Sequence, residues 1–493
     1  MHEFLGKRVT VMGLGLHGGG LATAAWFLGH GAHVTVTDLK TRAQLQPSVM
    51  ALERVAKQRG VGSLRLVLGK HDAKDFRDAD LIVQNPGVPR ESKFLAIARA
   101  ARVPIENEAS LFLKIVHSHA SPDGKRGKKA FLPLPGGGAR GGGVHITAIT
   151  GTRGKSTTSA LIAAILRADG RRAFLAGNIR IPMLGNLDAV LRAARRGPVD
   201  VVIELSSWHC ELLSRATGGP DIAVLTNLYP DHLNRYRSLR AYAVAKTRLV
   251  RFQHDQGVVV ANREQPIVRA MAKCSSGRVL WFSRRRMDRT TKRLRALLAL
   301  PGEHNTMNCL AAIATARALR VNGSAIRRGL RSFRGLPGRL ETVARRGGVT
   351  YVNDTCATSP DGTIAALQAL TESGSMKHES GRRGAIILIA GGVDKELEYA
   401  VWAKEVTGRA KALILLPGTA TEKMKRSLSK SIIHDSLFMI HDALSMRSAV
   451  QTARRLAHAG DTVLLSPGAA SFGLFQHEFD RGDQFNQEVK RYK

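Results

Sequence analysis

At 493 residues the chain exceeds one ordinary domain, and a prior of about 150 residues per domain points to three; a hydrophobic content of 44% excludes a disordered polypeptide. The formal charge of +36 raises the question of a nucleic-acid partner, yet basic clusters recur along the whole chain, at Lys125–Lys129, Arg284–Arg286, Lys292–Arg295 and Arg327–Arg334. Aromatics are only 5% and no zinc-finger or RNP motif accompanies the charge, so a generally basic surface suited to anionic substrates is expected, without a nucleic-acid partner.

No run of about 18 apolar residues occurs, so no membrane span is expected. The N-terminus carries no cleavable signal pattern, and the four cysteines have no metal-like spacing. A reducing cytoplasm and a single-chain, monomeric protein are the expectations.

Three segments each place apolar strand-like runs before glycines and helical patterns, the mark of βα units on a mainly parallel sheet. The fold class expected is α/β, in three domains: a Rossmann-like N-terminal domain (1–103), a central P-loop-type ATPase domain (104–335) and a Rossmann-like C-terminal domain (336–493). In chain order the strands read VTVMG, HVTVTD and LIVQN; then HITAIT, VDVVIE, DIAVLTN and GVVVAN; then TYVND, AIILIAGG, ALILL and DTVLLSPG. Between them a glycine-rich, basic stretch at 117–145 reads as a surface insertion, and TESGSMKHESGRRG after Leu370 as a second loop.

The first chemical motif is Gly13-Leu-Gly15-Leu-His-Gly18 at a strand-to-helix turn, with Asp38 ending the next strand. Glycines let a backbone approach a pyrophosphate and the acid can bond a ribose hydroxyl; purely structural glycines are the plain alternative. Alone, the motif favours a nicotinamide-dependent oxidoreductase. The second is Thr150-Gly151-Thr152-Arg153-Gly154-Lys155-Ser156-Thr157, between HITAI and the helical SALIAAILRA. Ile149 stands where the strict phosphate-loop pattern has its first glycine. The chemistry is still that of a phosphate loop, with backbone N–H groups and a helix start facing phosphates, Lys155 neutralising them and a hydroxyl reaching Mg²⁺. Such a loop needs metal ligands, and Glu204, Asp231 and His232 follow successive strands of the same sheet, at the edge where open α/β sheets bind ligands. Singly, each would pass as an ordinary loop residue.

TGTRGKST, ELSSWHCE, TNLYPDHLNRY, AYAVAKTRL and GEHNTMNCLAA, in this order, resemble the Mur ligase family over nearly the whole chain apart from the 117–145 insertion. The resemblance implies ATP at Gly151, Thr152, Arg153, Gly154, Lys155, Ser156 and Thr157, with Asn305 and Asn308 beside the nucleotide. It implies magnesium, as two ions, at Ser156, Glu204, His232 and Lys246, the last as a carbamate: an ammonium cannot ligate Mg²⁺ but its CO₂ adduct can. Arg339 and Asp354 would reach ATP from the third segment, which implies closure before chemistry. Lys155, His232, Lys246 and Arg339 are the expected catalytic residues.

The ending SPGAASFGLFQHEFDRGDQF resembles the branch that adds glutamate to UDP-N-acetylmuramoyl-L-alanine, and the first segment resembles its uridine-nucleotide domain. Gly15, Leu16, His17, Asp38, Asn85, Gly87, Asn178 and Ser206 would then face the UDP substrate, and Thr358, Lys395 and Ser471 the glutamate. Three positions depart from that branch: Cys356 replaces a common lysine, Glu478 a phenylalanine and His209 a glutamine. D-glutamate is expected; an L-glutamate-adding relative, another Mur ligase or a folyl-polyglutamate-type ligase are the neighbouring readings, and a basic nucleic-acid-binding ATPase the distant one.

Overall fold

The computed structural model describes residues 3–16, 18–59, 62–119, 143–177, 181–231, 235–372, 385–431, 438–471 and 473–491. His17, Asn178 and His232 lie outside the described residues, as do most of the 117–145 insertion (120–142) and of the second loop (373–384). The chain divides into two compact units, Met1–Leu298 with Met307–Phe333, and Ala299–Thr306 with Arg334–Lys493.

The first unit carries two parallel sheets. One comprises β1 (Arg8–Met12), β2 (His33–Asp38), β3 (Ser63–Leu68), β4 (Leu81–Gln84) and β5 (Ile105–Glu106), in the order β3-β2-β1-β4-β5. The other comprises β6 (Val144–Thr150), β7 (Ala173–Gly177), β8 (Val199–Glu204), β9 (Ile222–Leu225), β10 (Val258–Asn262) and β11 (Arg278–Phe282), in the order β11-β10-β9-β6-β8-β7. Strands β8, β9 and β10 are buried at every residue, because helices cover both faces of a parallel sheet and leave no solvated side to alternate toward. Chain direction across the sheet reverses beside β1 in the first sheet and between β6 and β9 in the second. Loops at such switch points open a crevice at the carboxyl edge, and both glycine motifs sit there.

The second unit holds β12 (Glu341–Arg346), β13 (Val349–Asn353), β14 (Ile386–Gly391), β15 (Ala410–Leu416), β16 (Met439–Asp442) and β17 (Thr462–Leu465), in the order β12-β13-β17-β14-β15-β16. Among the described residues its pairings are parallel except β12 with β13. Its two faces feed separate cores: Leu388, Trp402 and Leu464 on one side, Ile387, Ile389 and Phe485 on the other. Among the described residues no helix is long and apolar enough to cross a membrane.

Candidate active site

The phosphate loop leaves β6 at Gly151 and enters the helix Lys155–Ala168 through Gly154. Both glycines have positive φ, 153° and 77°. A Cβ on Gly151 would collide with Thr226 Oγ1, and one on Gly154 with Asn308 Oδ1, so neither position admits a side chain. The adjoining residues are braced by the loop after β9. Thr152 N donates to the Asn227 carbonyl at 3.0 Å, Arg153 N to Asn227 Oδ1 at 2.8 Å, and Thr226 Oγ1 to the Arg153 carbonyl at 2.8 Å. Tyr229 N donates to Thr152 Oγ1 at 3.0 Å. This rigid frame holds Lys155, whose Nζ donates to the Thr152 carbonyl at 3.0 Å, while Ser156 and Thr157 begin the helix as buried residues. Asn308 is buried against Gly154 and Thr158, and Asn305 donates to the Pro301 carbonyl at 2.8 Å.

Lys246, on the helix Leu239–Arg251, is 1% exposed. Its Nζ donates to the Gly151 carbonyl at 2.9 Å and Thr150 Oγ1 at 3.3 Å, and lies 4.7 Å from the Tyr242 ring centroid. Burial, and next the charge of Lys155, push its pKa down to about 7, so an uncharged amine is accessible near neutrality. Glu204 ends β8 opposite Ile149 of β6, is 2% exposed, and its Oε2 finds no hydrogen-bond partner among the described residues. A buried carboxylate oxygen lacking a donor suits a cation. Asp231 lies 4.0 Å from the Arg153 guanidinium. Among the described residues no three His, Cys, Asp or Glu side chains cluster as a metal set. The expected set has a hydroxyl, a lysine and His232 beside its one described acid.

The first glycine loop is built differently. Gly13, Gly15 and Gly18 all have positive φ. Asp38 Oδ2 accepts from Leu14 N at 2.9 Å and Gly15 N at 3.2 Å, and Oδ1 from Lys40 N at 2.9 Å. Asp38 thus braces the loop from inside, where the sequence suggested a ribose contact. Asn85 Nδ2 donates to the Gly13 carbonyl, placing the loop of Asn85 and Gly87 beside the glycine turn, with half-buried Leu16 following. Ser206 caps the short helix Ser207–Cys210 by accepting from His209 N at 3.2 Å, and His209 Nδ1 accepts from Ser206 N at 3.3 Å. The imidazole therefore does the reciprocal capping that a glutamine side chain performs. Burial, and then Lys246, push His209 down to about 4, which keeps it neutral.

In the second unit, Lys395 Nζ donates to Thr358 Oγ1 at 3.1 Å, bringing two expected glutamate contacts together; Ser471 is buried on the strand-end loop that bridges Val393 through Ala470. Asp354 accepts from Ser466 Oγ at 2.9 Å and Leu340 N at 3.2 Å. Burial raises its pKa to about 7 against these bonds and the nearby Arg339 charge.

Sequence reasoning missed Arg481, which is fully buried. Its guanidinium donates to Thr355 Oγ1, the Thr355 carbonyl and the Ala469 carbonyl at 3.1, 3.0 and 3.2 Å, tying together the loops that carry Thr358 and Ser471. Gly482 follows because a Cβ there would strike Thr355 Cγ2 at 2.6 Å. The RG pair in the C-terminal signature was the available signal.

Family models for the Mur ligase MurD-like N-terminal domain, the Mur ligase middle domain and the Mur ligase glutamate ligase domain match residues 7–107, 149–316 and 338–468. The chain belongs to the Mur ligase family. A UDP-N-acetylmuramoylalanine--D-glutamate ligase of Roseiflexus sp. (strain RS-1) is 37% identical over 99% of this Mur ligase and 100% of its own length. Its namesake in Geotalea daltonii is 33% identical, over 99% and 98%. Among solved structures, the UDP-N-acetylmuramate-alanine ligase MurC of Thermotoga maritima superposes with a TM-score of 0.58 at 20% identity, covering 99% of this chain and all of its own. A bifunctional folylpolyglutamate synthase/dihydrofolate synthase of Yersinia pestis, complexed with AMPPNP and Mn ion, gives 0.50 at 15% identity, over 77% and 92%.

Proposed function

We propose that this Mur ligase joins UDP-N-acetylmuramoyl-L-alanine to D-glutamate at the expense of ATP, in peptidoglycan synthesis. The observation that carries this reading is end-to-end similarity, at 37% identity, to a relative bearing that name. The phosphate loop with Lys155 and Lys246 converging on it supplies the matching chemistry. Eight relatives of 30–37% identity carry the D-glutamate name, which favours D over L despite Cys356 and Glu478.

In the reaction the alanine carboxylate attacks the γ-phosphate, the β–γ phosphoanhydride bond breaks and ADP departs with its electron pair. The glutamate amine then attacks the acyl phosphate, loses a proton and expels phosphate to leave the amide. Gly151–Thr157 orient the phosphates on backbone N–H groups, and Lys155 balances charge spreading onto the transferred oxygens. Arg339, Asp354, Asn305 and Asn308 serve the nucleotide; Thr358, Lys395 and Ser471 the glutamate; Gly15, Leu16, Asp38, Asn85, Gly87 and Ser206 the UDP substrate, with His17 and Asn178 assigned by resemblance alone. Ser156, Glu204, His232 and a carbamylated Lys246 would hold two Mg²⁺, which when bound screen the phosphate oxygens from the incoming carboxylate. The uncharged Lys246 amine suits that modification: its nitrogen attacks CO₂ and sheds a proton, converting a cation into a ligand.

Release of ADP, measured with UDP-N-acetylmuramoyl-L-alanine and each glutamate enantiomer, tests the assignment. Release that requires the UDP substrate and D-glutamate is expected; ADP formation indifferent to the UDP substrate overturns it.

A further inference from the structure

One side chain ties the loop after β4 to the segment after β9. Arg235 follows the Asp231 segment, and its Nε and Nη2 grip the Glu211 carboxylate at 3.1 and 2.8 Å. Its Nη1 donates to the carbonyls of Pro86 and Val88, at 3.3 and 3.1 Å. The guanidinium carbon lies 5.2 Å from the Trp208 ring centroid. Glu211 is 4% exposed and its Oε1 also accepts from the Tyr236 hydroxyl at 2.6 Å. The far end is anchored too, since Gln84 Nε2 donates to the Val88 carbonyl at 2.9 Å and Asn85 bonds the Gly13 carbonyl of the first glycine loop.

A buried ion pair of this kind contributes little net stability, because desolvation offsets most of its Coulombic gain. What the planar fork adds is geometry: three nitrogens at fixed angles serve a carboxylate on one side and two carbonyls on the other. A lysine would keep the charge but present one nitrogen to partners on opposite sides.

We propose that Arg235 is a positioning residue for the UDP-bearing substrate. It locks the loop Asn85–Val88, which borders the first glycine turn, to Glu211 and Trp208 after β8, a strand paired with β6 below the phosphate loop, and so fixes where the nucleoside diphosphate end lies relative to that loop. The proposal rests on the ligase reading above. Displacing a bound reactant by about 1 Å costs on the order of 10²-fold in rate, so a strut between the two loops has kinetic consequences without touching the reacting atoms.

Calorimetric titration with UDP alone and with adenylyl imidodiphosphate, on the full-length wild type, Arg235→Lys and Glu211→Gln, tests it alongside steady-state kinetics. Arg235→Lys is expected to weaken UDP binding and raise KM for the UDP substrate roughly 10-fold, leaving KM for ATP and glutamate within about twofold. Glu211→Gln, which keeps a hydrogen-bonding side chain but loses the charge, moves the same constants the same way by less and carries the test if the lysine variant does not fold. UDP affinity and KM unchanged in both variants overturn the proposal. So does a fall in kcat with every KM unchanged that equals the folded fraction lost in melting curves of the same variants. A wild type that binds no UDP sinks the ligase reading itself, whereas wild-type binding matched by both variants sinks only the strut.

Discussion

The two glycine loops look alike in sequence and differ in who supplies the negative charge. At Gly13–Gly18 the protein does so itself, with Asp38 accepting from the amides of Leu14 and Gly15. A third helix start in the same unit, Met183–Ala194, likewise receives a side-chain carboxyl, Glu108, which accepts from Leu184 N at 3.0 Å and from Met183 N. At Gly151–Thr157 the comparable carboxylate is replaced by cations, with Lys155 and Lys246 bonded to the carbonyls of Thr152 and Gly151. A glycine motif therefore marks a place suited to an anion, while the neighbouring charges decide how much of that role the chain fills itself.

The contrast breaks most visibly at Lys155. Lys155→Ala should lower ADP release by roughly 10³-fold, because it removes the cation beside the transferring phosphoryl group; near-normal turnover would sink the phosphate-loop assignment. Lys246→Ala should cost about 10²-fold, with formate or acetate restoring part of the rate by standing in for a carbamate. A variant indifferent to carboxylates would speak against carbamylation. Since burial lowers the Lys246 pKa to about 7, the amine is protonated below that pH and uncharged above it, so added bicarbonate should raise wild-type activity more at pH 8 than at pH 6.

At the other loop the expected effect is smaller and specific. Asp38→Asn puts an amide NH₂ against backbone donors and forfeits one or two hydrogen bonds, each about 1–3 kcal/mol when buried donors are stranded. KM for the UDP substrate should rise about 10-fold, with KM for ATP unchanged. A fall in that KM would mean that Asp38 competes with the diphosphate and does not brace the loop.

How much of this was legible beforehand follows a physical line. Every strand read from sequence proved central: β1, β2 and β4; β6, β8, β9 and β10; β13, β14, β15 and β17. Among the described residues, each of the six unread strands, β3, β5, β7, β11, β12 and β16, edges its sheet. Central parallel strands are covered on both faces and spell continuous apolar runs, whereas an edge such as ETVARR or SLRLVL carries charge because one side meets solvent. The site divides similarly. Phosphate-loop glycines announce themselves, since backbone geometry excludes other residues there. Lys246 was legible only through the resemblance, Arg235 and Glu211 stood inside the motifs that carried it without an assigned role, Arg481 was signalled by the RG pair alone, and Glu108 not at all, because an isolated charged residue in sequence looks solvated and only tertiary packing reveals its burial. The His209 departure, a loss on paper, turns out to preserve the capping bond.

The smallest predicted effect concerns Glu108, and it separates two forces on a carboxyl at a helix start. The helix dipole and the amide bonds favour the anion, but full burial outweighs them and raises the Glu108 pKa from 4.5 to about 7. The unfolded chain releases this proton near 4.5 and the folded protein near 7, so the folded state holds more protons in between. Stability from this group is therefore present below about pH 4.5 and lost as pH rises through 7. Glu108→Gln keeps an acceptor for the Leu184 amide and removes the titration. Its melting temperature relative to wild type should climb by a few degrees, ~2–5 °C, between pH 5 and pH 8, in melts that leave activity near normal. Parallel melting curves would mean that Glu108 stays ionised throughout and that desolvation does not outweigh the helix start.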